Sequence, residues 1–520
     1  MKSKIVQALE IFADERHFRL RLFFEGILIG VLTGGVITAF RFLLGQSDRL
    51  RPKFYGFLQT HPAGFTAGYF LLLVLLGAVL YRIVQKEPMS SGSGIPQIKG
   101  ILLGKMHMDW ARVLLFKFVG GVLAIGAGMS LGREGPSVQL GACVGQGLSR
   151  GQKRSRAEER FLLTAGAGAG LAAAFNAPLA GVIFCLEELQ KNFSPLVLMA
   201  TISAAVASTA VAQFAFGGAP IFHMGELCVI PLGSMYVLLL LLGIFVGALG
   251  LGFNRMLTCS LDGFRSLRLP GWQKPVVPLL AAGVLGFVLP QILGGGNLLV
   301  DELVVRDYGM VFLLLLFVGK FFFTMLCFGS GVPGGIFLPM LVLGALGGAI
   351  FAKAALLFGL LAPDYVPTFI VFGMAAYFAG VVKSPITGSI LIMEMTGSFQ
   401  HMLALICVSM AAYLVNDMTG GQPVYDMLLA RSLRLRAKLQ KAIHRRRVVA
   451  EFTVGTGSAL SGRLVREIDW PVHSLLVNVR RGEEEILPQG TLCLQEGDYL
   501  YVLMDDADIS GLQKLAEEQL

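Results

Sequence analysis

Four short segments of this sequence set glycine and proline inside otherwise apolar stretches: Gly92-Ser93-Gly94-Ile95-Pro96, Gly132-Arg133-Glu134-Gly135-Pro136, Gly335-Ile336-Phe337-Leu338-Pro339 and Gly421-Gln422-Pro423-Val424-Tyr425. In each, proline stands where a helix can begin, because the first four N–H groups of a helix have no internal partner and a residue lacking one loses nothing there. The glycines let backbone amides approach a ligand closely. A helix that starts inside an apolar region presents free N–H groups and about half a positive charge at its first turn. Several such starts converging would bind an anion without burying a lysine or arginine. Ser93 and Tyr425 suit the same task, since a hydroxyl donates a hydrogen bond while carrying no charge, which allows weak, reversible binding. Taken singly, each segment reads equally as a kink or loop end, and Tyr425 as an aromatic at a membrane boundary.

Carboxylates supply the other chemistry. Glu134 lies in the second segment, and Glu187 and Glu188 are adjacent in the apolar run GVIFCLEEL. An ionised side chain deep in a membrane protein costs roughly 3 kcal/mol or more if unpaired and is functional by default. For Glu134 the alternatives are a proton and an ion pair with the adjacent Arg133. Glu187 and Glu188 on one helix point roughly 100° apart and so do different work.

These residues belong to a chain written for a bilayer. Hydrophobic residues make up 55% and charged residues 15%, and the mean hydropathy is +0.69, against about 25% charged in soluble proteins. Apolar runs at 22–44, 66–85, 112–131, 195–217, 230–252 and 310–328 approach or exceed the roughly 20 residues that cross about 30 Å of hydrocarbon. No removable signal peptide is evident in the polar first 21 residues. The net charge of +9 gathers beside apolar runs, as in Arg431, Arg434, Arg436, Lys438, Lys441 and Arg445 to Arg447. That arrangement speaks of topology rather than nucleic acid, and it places everything after the cluster in the cytoplasm. Seven single cysteines, without ligand-spaced partners, read as core filler rather than metal ligands.

The sequence also repeats itself. At an offset of 203, Gly132 matches Gly335, Pro136 matches Pro339, Gly141 matches Gly344 and Lys117 matches Lys320; further on, at 207, Gly166 matches Gly373, Pro178 matches Pro385 and Glu187 matches Glu394. Two related halves with broken helices in paired positions are the expected sign of a midplane substrate site. Glu187 thus has a mate, which suggests a shared structural role such as capping or bonding to backbone amides, whereas Glu188 faces Met395 and suits an asymmetric task.

With GSGIP, GREGP, GIFLP and the late Tyr425 in this order, the chain resembles the CLC chloride channel and transporter family over nearly the whole membrane region. The resemblance implies an all-α polytopic membrane protein, an inverted repeat with broken helices, working as a homodimer with one pore per subunit. It implies that chloride is the substrate and that no cofactor or metal takes part. Ser93, with the Gly94-Ile95 backbone beside it, and Tyr425 would coordinate chloride through hydroxyls, and the amides of Ile336 and Phe337 would complete the site. Glu134 would be the external gate: ionised, it takes the anion's place; protonated, it swings away, and this competition couples the two fluxes. Glu188 would be the internal proton-transfer glutamate, and its presence favours a chloride/proton antiporter over a passive channel. An anion-binding sensor whose output is the tail is the reading from another class. Ser93 and Pro136 depart from fluoride-exporting relatives, and Ser93 from nitrate-preferring ones.

The boundaries expected are a transmembrane domain at 1–437, a basic linker at 438–447 and a soluble α+β domain at 448–520. In the last, strand-like runs at Val448–Val454, Leu475–Val479 and Tyr499–Met504 accompany a short helix near Leu464–Ile468, a Gly497-Asp498 turn and a closing helix around Ile509–Gln519. Its RRG, ILPQG and EGD elements resemble the C-terminal subdomain of potassium-transport regulators, the TrkA-C type, which implies dimerisation or a small ligand. The implied location is a bacterial inner membrane, with the lipid bilayer and a second copy as partners and no nucleic acid.

Overall fold

The computed structural model describes residues 2–225, 227–443, 447–470, 474–482, 484–505, 512–513 and 515–516, with backbone alone for 2–17, 438–443, 447–448 and 505. Backbone groups in an apolar medium must be satisfied within their own segment, and the first 429 residues are accordingly helical almost throughout. They contain α1 (Lys2–Thr60), α2 (Ala63–Lys86), α3 (Ile95–Leu102), α4 (Trp110–Gly126), α5 (Glu134–Gly151), α6 (Arg156–Phe175), α7 (Pro178–Phe184) and α8 (Pro195–Phe216). A second series follows as α9 (Ser234–Ser266), α10 (Val276–Val288), α11 (Asn297–Val305), α12 (Met310–Gly329), α13 (Phe337–Leu357), α14 (Val366–Val382), α15 (Pro385–Thr396) and α16 (Met402–Met418), then α17 (Val424–Ile443). Among the described residues, nine helical stretches are long and apolar enough to cross a membrane.

The two series pack alike. α5 lies on α6 as α13 lies on α14, α6 meets α8 as α14 meets α16, and α1 meets α8 as α9 meets α16. α2 also touches its own counterpart α10, and α7 its counterpart α15. Glycine sets the closest approaches. A methyl on Gly141 would stand 2.0 Å from the Gly166 carbonyl oxygen, and one on its repeat mate Gly344 would stand 2.5 Å from that of Gly373. Small residues of this kind let helix backbones meet where hydrophobic burial gives little help.

The apolar run at 112–131 yields a helix that stops before the run does. α4 ends at Gly126, and Gly128, at φ 96°, turns the chain toward the next segment. α17 continues to Ile443, through most of the expected linker, while contacts divide the chain into Met1–Leu429 and Ala430–Leu520.

The second unit holds a four-stranded antiparallel sheet, in the order β1-β4-β2-β3, of β1 (Arg447–Thr453), β2 (Leu475–Arg481), β3 (Glu484–Ile486) and β4 (Tyr499–Asp505). Alternate residues Leu500, Val502 and Met504 of the central β4 join Phe452, Val479, Leu460 and Leu494 in one core, as period-two patterning requires. The helix expected near Leu464–Ile468 is a single 3-10 turn, Val465–Glu467. The closing helix expected at 509–519 falls mostly outside the described residues; Leu512, Gln513, Leu515 and Ala516, which are described, are helical.

The buried Asp498 accepts two bonds from Arg481, both at 2.8 Å, and one from the Gln495 N–H at 2.9 Å. Burial opposes its charge, but Arg481 and this amide outweigh burial and hold the carboxyl below the usual range. A depressed pKa contributes stability that is full above about pH 4 and is lost as the pH falls through the folded-state value. Asp498→Asn is therefore expected to lower the hydrogen-exchange protection of β1 and β4 amides in the intact chain at neutral pH and, once rates are divided by the intrinsic exchange rate at each pH, to lose less protection than wild type between about pH 4 and pH 2; unchanged protection would contradict this.

Candidate anion and proton site

Backbone pairing brings the broken segments together. The Gly132 N–H donates to the Gly335 carbonyl at 2.7 Å, and the Gly335 N–H donates back to Gly132 at 2.8 Å. Each glycine thus bonds its own repeat mate. The loop ahead of α3 joins them, with Gly92 N–H to Val332 O at 3.1 Å and Gly334 N–H to Gly92 O at 3.0 Å. Two buried lysines hold loops in matching places of the two halves: Lys117 Nζ donates to the Ser90 and Gly92 carbonyls, ahead of α3, at 3.0 and 2.5 Å, and Lys320 Nζ to those of Ile292 and Gly294, ahead of α11, at 3.0 and 2.7 Å. The first turns of α3, α5 and α13, whose N–H groups have no intrahelical partner, are consequently held near one another.

Prolines stand where the sequence places them. Gly94, at φ 95°, caps α3 with Ile95 and Pro96 in the first turn. Glu134 opens α5 and Phe337 opens α13 behind Ile336. Phe337 is anchored in an aromatic cluster with Phe175, Phe184 and Phe378 at 5.4, 6.3 and 4.7 Å between ring centroids. Glu134 is fully buried, and its oxygens face the N–H groups of Leu338 and its own residue without a hydrogen bond of normal geometry. Arg133 Nε lies 3.8 Å from it, a loose contact that leaves both groups without a hydrogen bond. Ser93 Oγ and Tyr425 Oη are also buried and unpartnered. Full burial of Tyr425 removes the membrane-boundary alternative.

Buried polar groups without partners are rare and call for an explanation. Here two hydroxyl donors, three helix starts and one carboxylate cluster in the interior, a set that can hold a small anion and exchange it for a carboxylate. Gly135 is essential to the fit, since a methyl there would lie 2.5 Å from Ser93 Oγ and 2.7 Å from the Ser93 carbonyl oxygen. Gly135→Ala is expected to displace Ser93 and weaken chloride binding about tenfold by calorimetry, the scale of a mild overpacking strain; unaltered affinity would show that Ser93 lies outside the anion site.

Glu187 and Glu188 share a π-helical turn, Cys185–Gln190, and diverge as expected. Glu187 accepts from the Ile386 and Thr387 amides at 3.2 and 2.7 Å, at the start of α15. Glu394 reciprocates, accepting from Leu179 and Ala180 at 3.1 and 2.8 Å, at the start of α7. These four amides are themselves repeat mates, so the shared structural role read from the repeat is what the geometry has. Glu394→Gln is expected to destabilise the detergent-solubilised protein by about 1 kcal/mol while leaving the ratio of proton to chloride movement unchanged; an altered ratio would assign it a transport role. Glu188 is buried between Lys99 Nζ at 2.7 Å and Ser384 Oγ at 2.9 Å, and Tyr425 lies within electrostatic range of both Glu188 and Glu134. Sequence reasoning missed Lys99, Ser384 and Asp426 around this acid. The one available signal was Lys99 itself, the one charge within a short helix.

Two related halves that pack alike, with the starts of α3, α5 and α13 brought together in the interior, are the architecture of a membrane transport protein. The chain belongs to the voltage gated chloride channel family, the CLC family, whose family model matches residues 74–417, and a TrkA-C domain matches residues 449–517. It is 38% identical over 426 residues to the H(+)/Cl(-) exchange transporter ClcA of Salmonella paratyphi A, covering 80% of this chain and 89% of that protein. To the exchange transporter of the same name from Vibrio cholerae serotype O1 it is 38% identical over 438 residues, covering 80% and 91%. Its fold matches the crystal structure of a slow cyanobacterial Cl-/H+ antiporter with a TM-score of 0.74 at 33% identity, over 80% of this chain and 98% of that one.

Proposed function

We propose that the chain is a chloride/proton antiporter that moves chloride through the site between the starts of α3, α5 and α13 in exchange for protons carried by Glu134 and Glu188. The observation that supports this most is the buried Glu134 carboxylate, facing helix-start amides beside the unpartnered hydroxyls of Ser93 and Tyr425. Chloride would take hydrogen bonds from those hydroxyls and from the Gly94-Ile95 and Ile336-Phe337 backbone. Ionised, Glu134 faces the neighbouring helix-start amides of Leu338 and its own residue and bars the anion's way; protonated, it loses its attraction to them and leaves. Glu188 passes the proton to and from the opposite side.

The working unit in this reading is a homodimer in a bacterial inner membrane. The domains divide as 1–437, 438–447 and 448–520, with the last in the cytoplasm, as the basic cluster around Arg431 to Arg447 favours. The TrkA-C domain would pair with its dimer mate or bind a small regulatory ligand. Liposomes containing the purified protein and Glu188→Ala test the exchange. Under a chloride gradient, wild type is expected to drive protons uphill and the variant to pass chloride with about a hundredfold less proton movement. Chloride flux without protons in wild type would make the protein a channel, and saturable chloride binding without flux would make it a sensor.

A further inference from the structure

We propose that Asp426 is the counter-ion that takes over Lys99 whenever Glu188 binds a proton, so that Glu188 can change charge inside the protein; this rests on the exchange reading above. Four side chains of alternating sign run outward from the interior. Lys99 Nζ lies 2.7 Å from Glu188 and is also ion-paired with Asp426, whose other oxygen lies 2.5 Å from Lys191 Nζ. Side-chain exposure rises along the series, from 2% at Glu188 and 5% at Lys99 to 33% at Asp426 and 52% at Lys191. The groups facing Glu188 come from three directions: Lys99 on α3, Ser384 ahead of α15, and Tyr425 and Asp426 on α17.

The charges explain the arrangement. With Glu188 ionised, the four side chains sum to zero. When Glu188 accepts a proton, Lys99 loses that partner, and a buried cation left alone is strongly unfavourable. Asp426 already touches Lys99 and keeps it paired, while the excess positive charge moves to Lys191 at the exposed end, where water screens it. Release of the proton restores the original pairing. No bond other than O–H forms or breaks, and the proton on Glu188 is the only one transferred. Asp426 and Lys99 are therefore positioning residues that act through Glu188.

This arrangement predicts a rescue that a merely structural role would not give. In Asp426→Asn, protonating Glu188 strands the charge of Lys99, so chloride-driven proton uptake into liposomes is expected to fall about tenfold or more while chloride flux stays within about twofold of wild type. In Asp426→Glu, which keeps a carboxylate within reach of Lys99 where the isosteric Asn keeps only the shape, proton uptake is expected to stay within about threefold of wild type. Wild-type proton uptake in Asp426→Asn, an Asp426→Glu variant no better than Asp426→Asn, or parallel loss of both fluxes in Asp426→Asn would each overturn the inference. Wild-type chloride flux without any proton uptake would overturn the exchange reading itself and this inference with it, which keeps the two failures apart.

Discussion

Replacing Glu134 with alanine is expected to leave chloride flux intact, to reduce coupled proton movement by about a hundredfold or more, and to make the remaining chloride flux nearly independent of pH. The argument runs through occupancy. Glu134 is fully buried where α5 begins, and its nearest cation, Arg133, stands 3.8 Å away. It faces the helix-start amides of Leu338 and its own residue, next to those proposed to serve chloride, so in that reading the carboxylate and the anion exclude one another. Alanine removes the competitor and the proton carrier together. Separate chloride-electrode and pH-electrode traces on one liposome preparation read both quantities; proton uptake at the wild-type rate would remove Glu134 from the mechanism.

The largest structural effect is expected at the crossing of α5 and α6. A methyl on Gly166 would stand 2.1 Å from the Gly141 carbonyl oxygen, a rigid backbone atom unable to give way. Gly166→Val must separate the two helices, and α5 carries Glu134 at its start. Destabilisation of about 3 kcal/mol, the upper end for overpacking, should appear as an early thermal transition in detergent or as failure to yield dispersed protein. The counterpart contact is slightly looser, since a methyl on Gly373 would lie 2.4 Å from the Gly344 oxygen. Alanine at 166 should therefore cost more than alanine at 373, and equal melting of the two variants would contradict that ordering.

Much of the site was legible in the sequence because its physics is local. Glycine beside proline in an apolar run marks a helix start, and the four segments do begin α3, α5, α13 and α17. The repeat carried more, since the pairing of Glu187 with Glu394 suggested a shared structural role such as capping or bonding to backbone amides, and each carboxylate does accept from amides at the start of the counterpart helix. What hydropathy could not read were the helices wrapped in protein. α6 is rich in alanine and glycine and buried from Leu162 to Phe175, so it needs little apolar character toward lipid. The helix in the run at 112–131 stops at Gly126, short of the end of the run, because the chain must turn to bring Gly132 against Gly335. The surroundings of Glu188 were hidden for a different reason. Lys99 is 89 residues from Glu188 in sequence and Ser384 is 196 away, and neither lies in a segment whose spacing points to the other.

Chloride affinity measured by titration calorimetry across a range of pH, for wild type and for Glu134→Gln, addresses the competition between carboxylate and chloride most directly. Wild type is expected to bind chloride more tightly as the pH falls, because protonation withdraws the competing carboxylate. Glu134→Gln should bind with an affinity independent of pH and at least equal to that of wild type in acid. A wild-type affinity indifferent to pH, or the same pH dependence in both proteins, would contradict the shared site.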